Sequence, residues 1–265
     1  MSSILDKIFE AKRTELSETR RATPDDAVIR AASRMPAPRD FVAALRARRP
    51  AIIAEVKRAS PSKGDILPNL DPAFIAREYQ RSGAAAVSVL TDRHFKGSLD
   101  DLRAVRAAVE SPVLRKDFMF DPYQVYEARA AGADCILLIV AMLDDRTLGL
   151  LHRLAHELGM AALVEVHNEN EFSRAERMGA RLIGINNRDL HTFVTDIAVT
   201  ERLLRDYRAD ALVVAESGID SPEHIRRLDR AGAGAFLVGE SLLRGGNPAG
   251  RLGELLGALG EAASR

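Results

Sequence analysis

Glu55 and Lys57 stand two residues apart where an apolar run, residues 51–56, gives way to Ser60-Pro61-Ser62-Lys63-Gly64. On a β-strand, side chains two apart point to the same side. Ser, Pro and Gly are turn residues, so the acid and the base meet where the strand becomes a loop. Burying both unpaired would cost several kcal/mol each. They are therefore either a structural ion pair or part of a reactive site, and recurrence separates the two. Later apolar runs close on Thr91-Asp92, Lys116 with Phe118, Leu138, Glu165, Asn186 with Arg188, Glu216-Ser217-Gly218 and Gly239-Glu240. Any one could be a satisfied structural group; their repetition at strand ends points to a site.

Two lysines and three glutamates at such ends suit proton transfer on a carbonyl-bearing sugar phosphate. A lysine kept from bulk water can act as a general acid, and a glutamate of raised pKa can shuttle protons. The same lysine could instead form a Schiff base, as in aldolases; spacing leaves both open. Gly218 and Gly239 would let backbone N–H groups approach a phosphate, with a helix starting after each. Ser60 and Lys57 could complete that cradle. The histidines (His94, His152, His156, His167, His191 and His224) show no grouping with carboxylates at strand ends, and His152 and His156 fall on a helix expected outside. Metal catalysis is the weaker reading on these residues.

These side chains converge only if the strands carrying them lie parallel and side by side. Apolar runs appear at about 51–57, 86–91, 112–117, 134–140, 161–166, 181–186, 211–216 and 234–239. Between them, and after the last, helical patterns cover about 71–83, 98–109, 121–131, 145–158, 168–178, 198–207, 221–231 and 248–260. Asp71-Pro72, Asp121-Pro122 and Ser221-Pro222 open helices, while Gly83, Gly132, Gly179 and Gly232 close them. Strands apolar on both faces are buried by helices on one side and a barrel core on the other. Eight such units predict an α/β fold, a (β/α)8 TIM barrel whose chemistry sits at the C-terminal strand ends. An open doubly wound sheet fits less well, since no G-x-G-x-x-G follows the first strand.

Residues 1–50 read as an N-terminal helical extension. Ser2 or Ser3 would cap a first helix with Ile4, Leu5, Ile8, Phe9 and Leu16 on its apolar face. Pro24, Pro36 and Pro38 then break the chain before a short helix, residues 41–45. The whole, 1–265, is expected to be one domain with the barrel over 51–265.

Composition excludes several classes. Lys+Arg and Asp+Glu are both 38, leaving no basic field for nucleic acid or an anionic membrane. The single cysteine, Cys135, excludes an internal disulfide. The longest apolar run, residues 135–143, is far short of a membrane span. The N-terminus lacks a signal-peptide core and carries Asp6, Glu10, Glu15 and Glu18, against a transit peptide. A soluble cytoplasmic protein is expected.

Glu55-Val56-Lys57-Arg58-Ala59-Ser60-Pro61-Ser62-Lys63-Gly64 closely resembles the first-strand signature of the indole-3-glycerol phosphate synthase family, which closes the indole ring in tryptophan biosynthesis. The likeness continues through residues 88–92, 114–118, 163–167, 184–190, 215–219 and 237–240, so it spans essentially the whole chain. The resemblance implies conversion of 1-(2-carboxyphenylamino)-1-deoxyribulose 5-phosphate to indole-3-glycerol phosphate with loss of CO2 and water. It implies Lys116 as the acid on the ketone oxygen, and Glu165 with Lys57 in the dehydration. Glu55, Asn186 and Glu216 would orient the substrate and hold the lysines charged. Arg188 would hold the carboxylate region, and Phe118 and Leu138 the anthranilate ring. The phosphate would fall to Ser60, Lys57, Ser217, Gly218, Gly239 and the backbone N–H of Glu240. The resemblance also implies a monofunctional enzyme that needs no cofactor and acts on a small-molecule phosphosugar–anthranilate substrate. A monomer is expected, with at most weak association with other tryptophan-pathway enzymes. The loop from Arg58 to Leu67 is expected to close over the substrate. On the residues alone, a Schiff-base aldolase, a sugar-phosphate isomerase or a non-catalytic phosphate-binding barrel are the rivals.

Overall fold

The computed structural model describes residues 4–60, 64–67, 69–189, 192–205, 207 and 210–260. Eight parallel strands close a barrel: β1 (Ala51–Val56), β2 (Ala86–Leu90), β3 (Val113–Lys116), β4 (Cys135–Ile139), β5 (Ala161–Val166), β6 (Leu182–Asn186), β7 (Leu212–Glu216) and β8 (Ala235–Val238). Each pairs with its sequence neighbour, and β1 closes the ring by pairing with both β2 and β8. The eight fall where the apolar runs predict them, so the barrel is the (β/α)8 fold.

Alternation along the strands divides the core in two. Ile53, Leu114, Leu137, Leu163, Val214 and Leu237 point inward and form one buried cluster. Ile52, Val87, Ile136, Val164, Ile183 and Phe236 point outward and pack beneath the surrounding helices. Those helices are α4 (Pro72–Arg81), α5 (Leu99–Ala108), α6 (Pro122–Ala130), α7 (Asp145–Glu157), α8 (Glu169–Met178), α9 (Ala198–Leu204), α10 (Pro222–Ala231) and α12 (Pro248–Leu256). Asp71, Asp121 and Ser221 each cap a helix through their side chains, with Pro at the first turn, as the Asp-Pro and Ser-Pro pairs predict.

The N-terminal extension holds three helices, α1 (Ile4–Ala22), α2 (Asp25–Ser33) and α3 (Phe41–Arg46); α2 falls where a break was expected. The break expected at Pro24 is there, since α1 ends at Ala22, but Pro24 also sits at the N-cap of α2 with extended backbone (φ −60, ψ 154), and Asp25 and Asp26 fill the first turn of a helix that was not expected. The cap expected at Ser2 or Ser3 lies outside the described residues. In α3, Phe41 and Leu45 are fully buried in the inward-facing cluster with Ala51, Ala86 and Ala235, so this helix plugs the N-terminal end of the barrel.

At the opposite end α1 crosses the rim beside β2 and β3. Its Lys12 is buried, with Nζ 2.8 Å from Asp117 Oδ1, 3.3 Å from Asp92 and 3.1 Å from Glu15. Asp117 is also held by Arg115 at 3.0 Å and by the Thr91 hydroxyl at 2.6 Å. Burial opposes a charged Asp117, but Arg115 and Lys12 outweigh it and hold the carboxyl below its ordinary range. Asp117 lies between Lys116 and Phe118 in the chain, so this network fixes the backbone on both sides of it.

Removing one partner of a buried ion pair strands the other charge. Lys12→Met keeps most of the volume yet leaves Asp92 and Asp117 short of a cation, and should cost ~3 kcal/mol in urea unfolding with an unchanged m value. Arg103→Ala, which removes a largely exposed partner of Asp100, should cost no more than ~1 kcal/mol. Equal midpoints for the two variants would contradict the anchoring role of Lys12.

Candidate active site

The inward-facing position nearest the C-terminal end is polar on five strands. On β3 it is Lys116 above Leu114, on β5 Glu165 above Leu163, on β6 Asn186 above Gly184, on β7 Glu216 above Val214, and on β1 Glu55 above Ile53. Barrel closure brings them together. Lys116 Nζ lies 3.1 Å from Glu165 Oε2 and 3.2 Å from Glu216 Oε2. Lys57 Nζ lies 2.7 Å from Glu55 Oε1, the pairing that the two-residue spacing predicts. All three glutamates are buried.

Two glycines make room for these carboxylates. A Cβ on Gly184 would sit 2.1 Å from Glu216 Oε1, and one on Gly239 would sit 2.3 Å from Glu55 Oε1. Gly239 thus has a steric duty toward Glu55 that the phosphate reading did not include. Gly184, never singled out from the sequence, does the same for Glu216.

Charge crowding sets the protonation states. Burial by itself would lower the Lys116 pKa, but Glu165, Glu216 and Glu55 together outweigh it and hold the ammonium above the ordinary lysine range. Burial would raise Glu165, yet Lys116, His167 and a hydrogen bond from Asn186 bring it well below the usual carboxylate range. Glu216 goes the other way. Burial, reinforced by Glu165 and Glu55, outweighs Lys116 and pushes it up to about 8. Two carboxylates on one ammonium thus titrate apart, a pattern of acid–base sites.

His167 corrects the expectation that no histidine joins the strand-end carboxylates. Its Nε2 lies 3.3 Å from Glu165 Oε1 and its Nδ1 3.0 Å from Glu171 Oε2. The signal was in the sequence: Glu165-Val166-His167 repeats the acid–x–cation spacing of Glu55-Val56-Lys57.

The remaining expected residues divide. Asn186 Oδ1 accepts from the Arg188 backbone N–H at 3.1 Å, and Arg188 reaches Thr195 Oγ1 at 3.4 Å and Glu240 Oε2 at 3.8 Å. Ser217 (φ 65) and Gly218 (φ 76) are both left-handed, and a Cβ on Gly218 would strike Thr195 Cγ2 at 2.6 Å. Buried Asn187 holds this turn by donating to the Glu216 and Ser217 carbonyls at 3.0 and 3.1 Å, and was not anticipated. The helix after Gly239, α11 (Glu240–Leu243), is a single turn, so an anion there would meet N–H groups rather than a long dipole. Glu240 itself pairs with Arg244. Ser60 closes a small hairpin, Ala59–Ser60 against Gly64–Asp65, but its side chain lies outside the described part of the structure, as do residues 61–63. The hairpin's flanks are tied down by Arg58 to Asp101 at 2.8 Å and Asp65 to Lys96 at 2.6 Å.

Phe118 is half-buried against the inward cluster. Leu138 is not on that side. It is fully buried in the outer layer beneath the helices, because inward positions on β4 alternate through Cys135, Leu137 and Ile139. The inward cluster against which Phe118 packs takes Ile139 from β4, with Met142 packed on the same cluster, and not Leu138.

A closed (β/α)8 barrel with paired lysines and carboxylates at its C-terminal mouth defines an acid–base enzyme. The family model described as indole-3-glycerol phosphate synthase matches residues 5–255. Curated relatives of that name are 51% identical in Roseiflexus sp. (strain RS-1), over 97% of this chain and 99% of the relative, and 51% identical in Polaromonas sp. (strain JS666 / ATCC BAA-500), with the same coverage. The chain belongs to the indole-3-glycerol phosphate synthase family, carboxy-lyases of tryptophan biosynthesis. Among solved structures, 3-hexulose-6-phosphate synthase from Salmonella typhimurium superposes with a TM-score of 0.64 at 15% identity, over 80% of this chain and 99% of that one. Thiamine phosphate pyrophosphorylase from Pyrococcus furiosus gives 0.61 at 16%, over 83% and 98%. Both share the fold.

Gly184→Ala should separate site geometry from stability. The clash falls on the mobile end of Glu216 rather than on backbone, so the fold should survive while Glu216 is displaced. Misplacement near 1 Å costs up to ~100-fold in rate; a kcat drop of ~10- to 100-fold with a melting temperature within a few degrees is expected. An unchanged kcat would show that the position of Glu216 does not matter.

Proposed function

We propose that the Lys116 cluster carries out the family's ring closure with the following division of labour. The substrate ketone approaches Lys116, and the ring carbon bearing the carboxylate attacks it while Lys116 donates a proton to the oxygen. The ring carboxylate leaves as CO2, returning its electron pair to the ring. The new hydroxyl departs as water with a second proton from Lys116 or Lys57, driven by the nitrogen lone pair. Glu165 removes a proton from the adjacent carbon to complete the indole. Two protons are given and one is taken, so each turnover consumes one proton from solvent.

The observation that carries this reading is the Lys116 ammonium held between Glu165 and Glu216. With both carboxylates in contact, that proton is held more tightly than on an ordinary lysine. A ketone that takes the place of one carboxylate contact both receives the proton and weakens its hold. The same surroundings weigh against a Schiff-base aldolase, since imine formation requires a free amine and a lowered lysine pKa.

Arg188 is assigned to the substrate carboxylate, and Phe118 with Ile139 to its ring. The turn at Ser217 and Gly218, together with Lys57, Ser60 and the backbone at Gly239 and Glu240, is assigned to the phosphate. No helix among the described residues is long and apolar enough to cross a membrane. We assign the protein to the cytoplasm, as one barrel domain acting as a monomer with at most weak contacts to other enzymes of its pathway.

General acid catalysis contributes ~100- to 10,000-fold. Lys116→Ala should lose at least ~1,000-fold in kcat, followed by indole fluorescence with EDTA present, while substrate binding stays measurable by titration. Turnover retained in this variant would remove Lys116 from the acid role.

A further inference from the structure

Glu165 is held by two cations. Its Oε2 faces Lys116 at 3.1 Å and its Oε1 faces His167 Nε2 at 3.3 Å. The other imidazole nitrogen, Nδ1, lies 3.0 Å from Glu171 Oε2, which also accepts the His167 backbone N–H at 2.9 Å. Glu171 is fixed in turn at the start of α8. Asn168 Nδ2 donates to its Oε1 at 2.6 Å, and Asn168 Oδ1 accepts its backbone N–H at 3.0 Å. A continuous chain thus runs from the first turn of α8 through Glu171, His167 and Glu165 to Lys116.

Nδ1 is hydrogen-bonded to Glu171 and Nε2 faces Glu165 at 3.3 Å, so a carboxylate flanks each nitrogen and favours the imidazolium. We propose that His167 is a positioning residue for Glu165: braced by Glu171, its imidazolium holds Glu165 as a carboxylate in contact with Lys116. The need follows from the surroundings. Glu165 shares its site with Glu216 on β7 and Glu55 on β1, and burial together with repulsion between carboxylates favours protonating one of them. Without His167, Glu165 would compete for the Lys116 proton or turn away.

The groups facing His167 agree with a held positive charge. They are Glu165 on β5 and Glu171 on α8, with Lys116 on β3 and Asn186 on β6 beyond Glu165. Burial lowers the imidazole pKa, but hydrogen bonds and charge from Glu165 and Glu171 outweigh it and raise it to about 10.

The inference rests on Glu165 as the catalytic base, and the test separates the two. His167→Asn and Glu171→Gln are compared with the unaltered enzyme in the ring-closure assay across pH. The expected result for His167→Asn is a kcat lowered ~10- to 100-fold, a KM within about threefold, and the acid limb of the kcat profile moved to higher pH. A base that has lost a cation must be titrated at higher pH before it works. Glu171→Gln should move the same limb in the same direction by less. A merely structural histidine would leave that limb in place, so an unmoved limb in both variants overturns the proposal even if kcat falls. An unaltered enzyme that turns over normally, beside a Glu165→Gln variant that does too, refutes the base assignment instead.

Stability gives a second readout that needs no substrate. A histidine whose pKa rises from 6.5 unfolded to about 10 folded stabilises fully below pH 6.5 and loses that contribution as pH rises through about 10. The stability difference between the unaltered enzyme and His167→Asn should therefore shrink between pH 6.5 and 10. A constant difference across that window would mean that His167 is not held as the cation.

Discussion

Everything at the mouth of this barrel depends on one electrostatic constraint: an ammonium group, Lys116, is taken largely out of water and must be compensated. Desolvation alone would drive it neutral. Glu165, Glu216 and Glu55 reverse that outcome, but three carboxylates about one ammonium repel each other, so the compensation needs its own correction. Lys57 answers Glu55, His167 answers Glu165, and Glu216 keeps its proton near neutrality. The cluster is thereby charged enough to do proton transfer and balanced enough to be buried.

The barrel makes such a cluster geometrically inexpensive. Strand alternation delivers one inward side chain per strand to the same level, and parallel pairing aligns the ends. Close approach then needs small residues, which is where Gly184 and Gly239 enter. The backbone carrying Lys116 and Phe118 is braced from outside the barrel, through Asp117, by Lys12 of the N-terminal extension. That extension therefore has two duties: α3 closes the bottom of the barrel and α1 stiffens its catalytic rim.

Much of this was legible in the sequence because the barrel writes itself in apolar runs ended by polar residues. The eight strands and the grouping of Glu55, Lys57, Lys116, Glu165, Asn186 and Glu216 follow from that punctuation. Leu138 did not yield to it. The run from Cys135 to Leu143 is unbroken by any polar side chain, so nothing marks which residues face inward, and the register of β4 decides it. Helix α2 was obscured by Pro24, which separates two helices and so is a start signal as well as a break. The Lys12–Asp117 contact joins residues far apart in the chain, which no local pattern reports. His167 could have been read, from the spacing it shares with Lys57.

The most direct test of the account is the titration of the Lys116 side chain itself. With lysine labelled at Cε, and Lys116 assigned by its loss in the Lys116→Ala variant, its shift is followed by NMR as pH rises. The account predicts that Lys116 stays an ammonium past the ordinary lysine value of 10.5, and that its titration moves down in Glu165→Gln. A Lys116 that deprotonates below the ordinary lysine value would contradict it, and would return the site to amine chemistry.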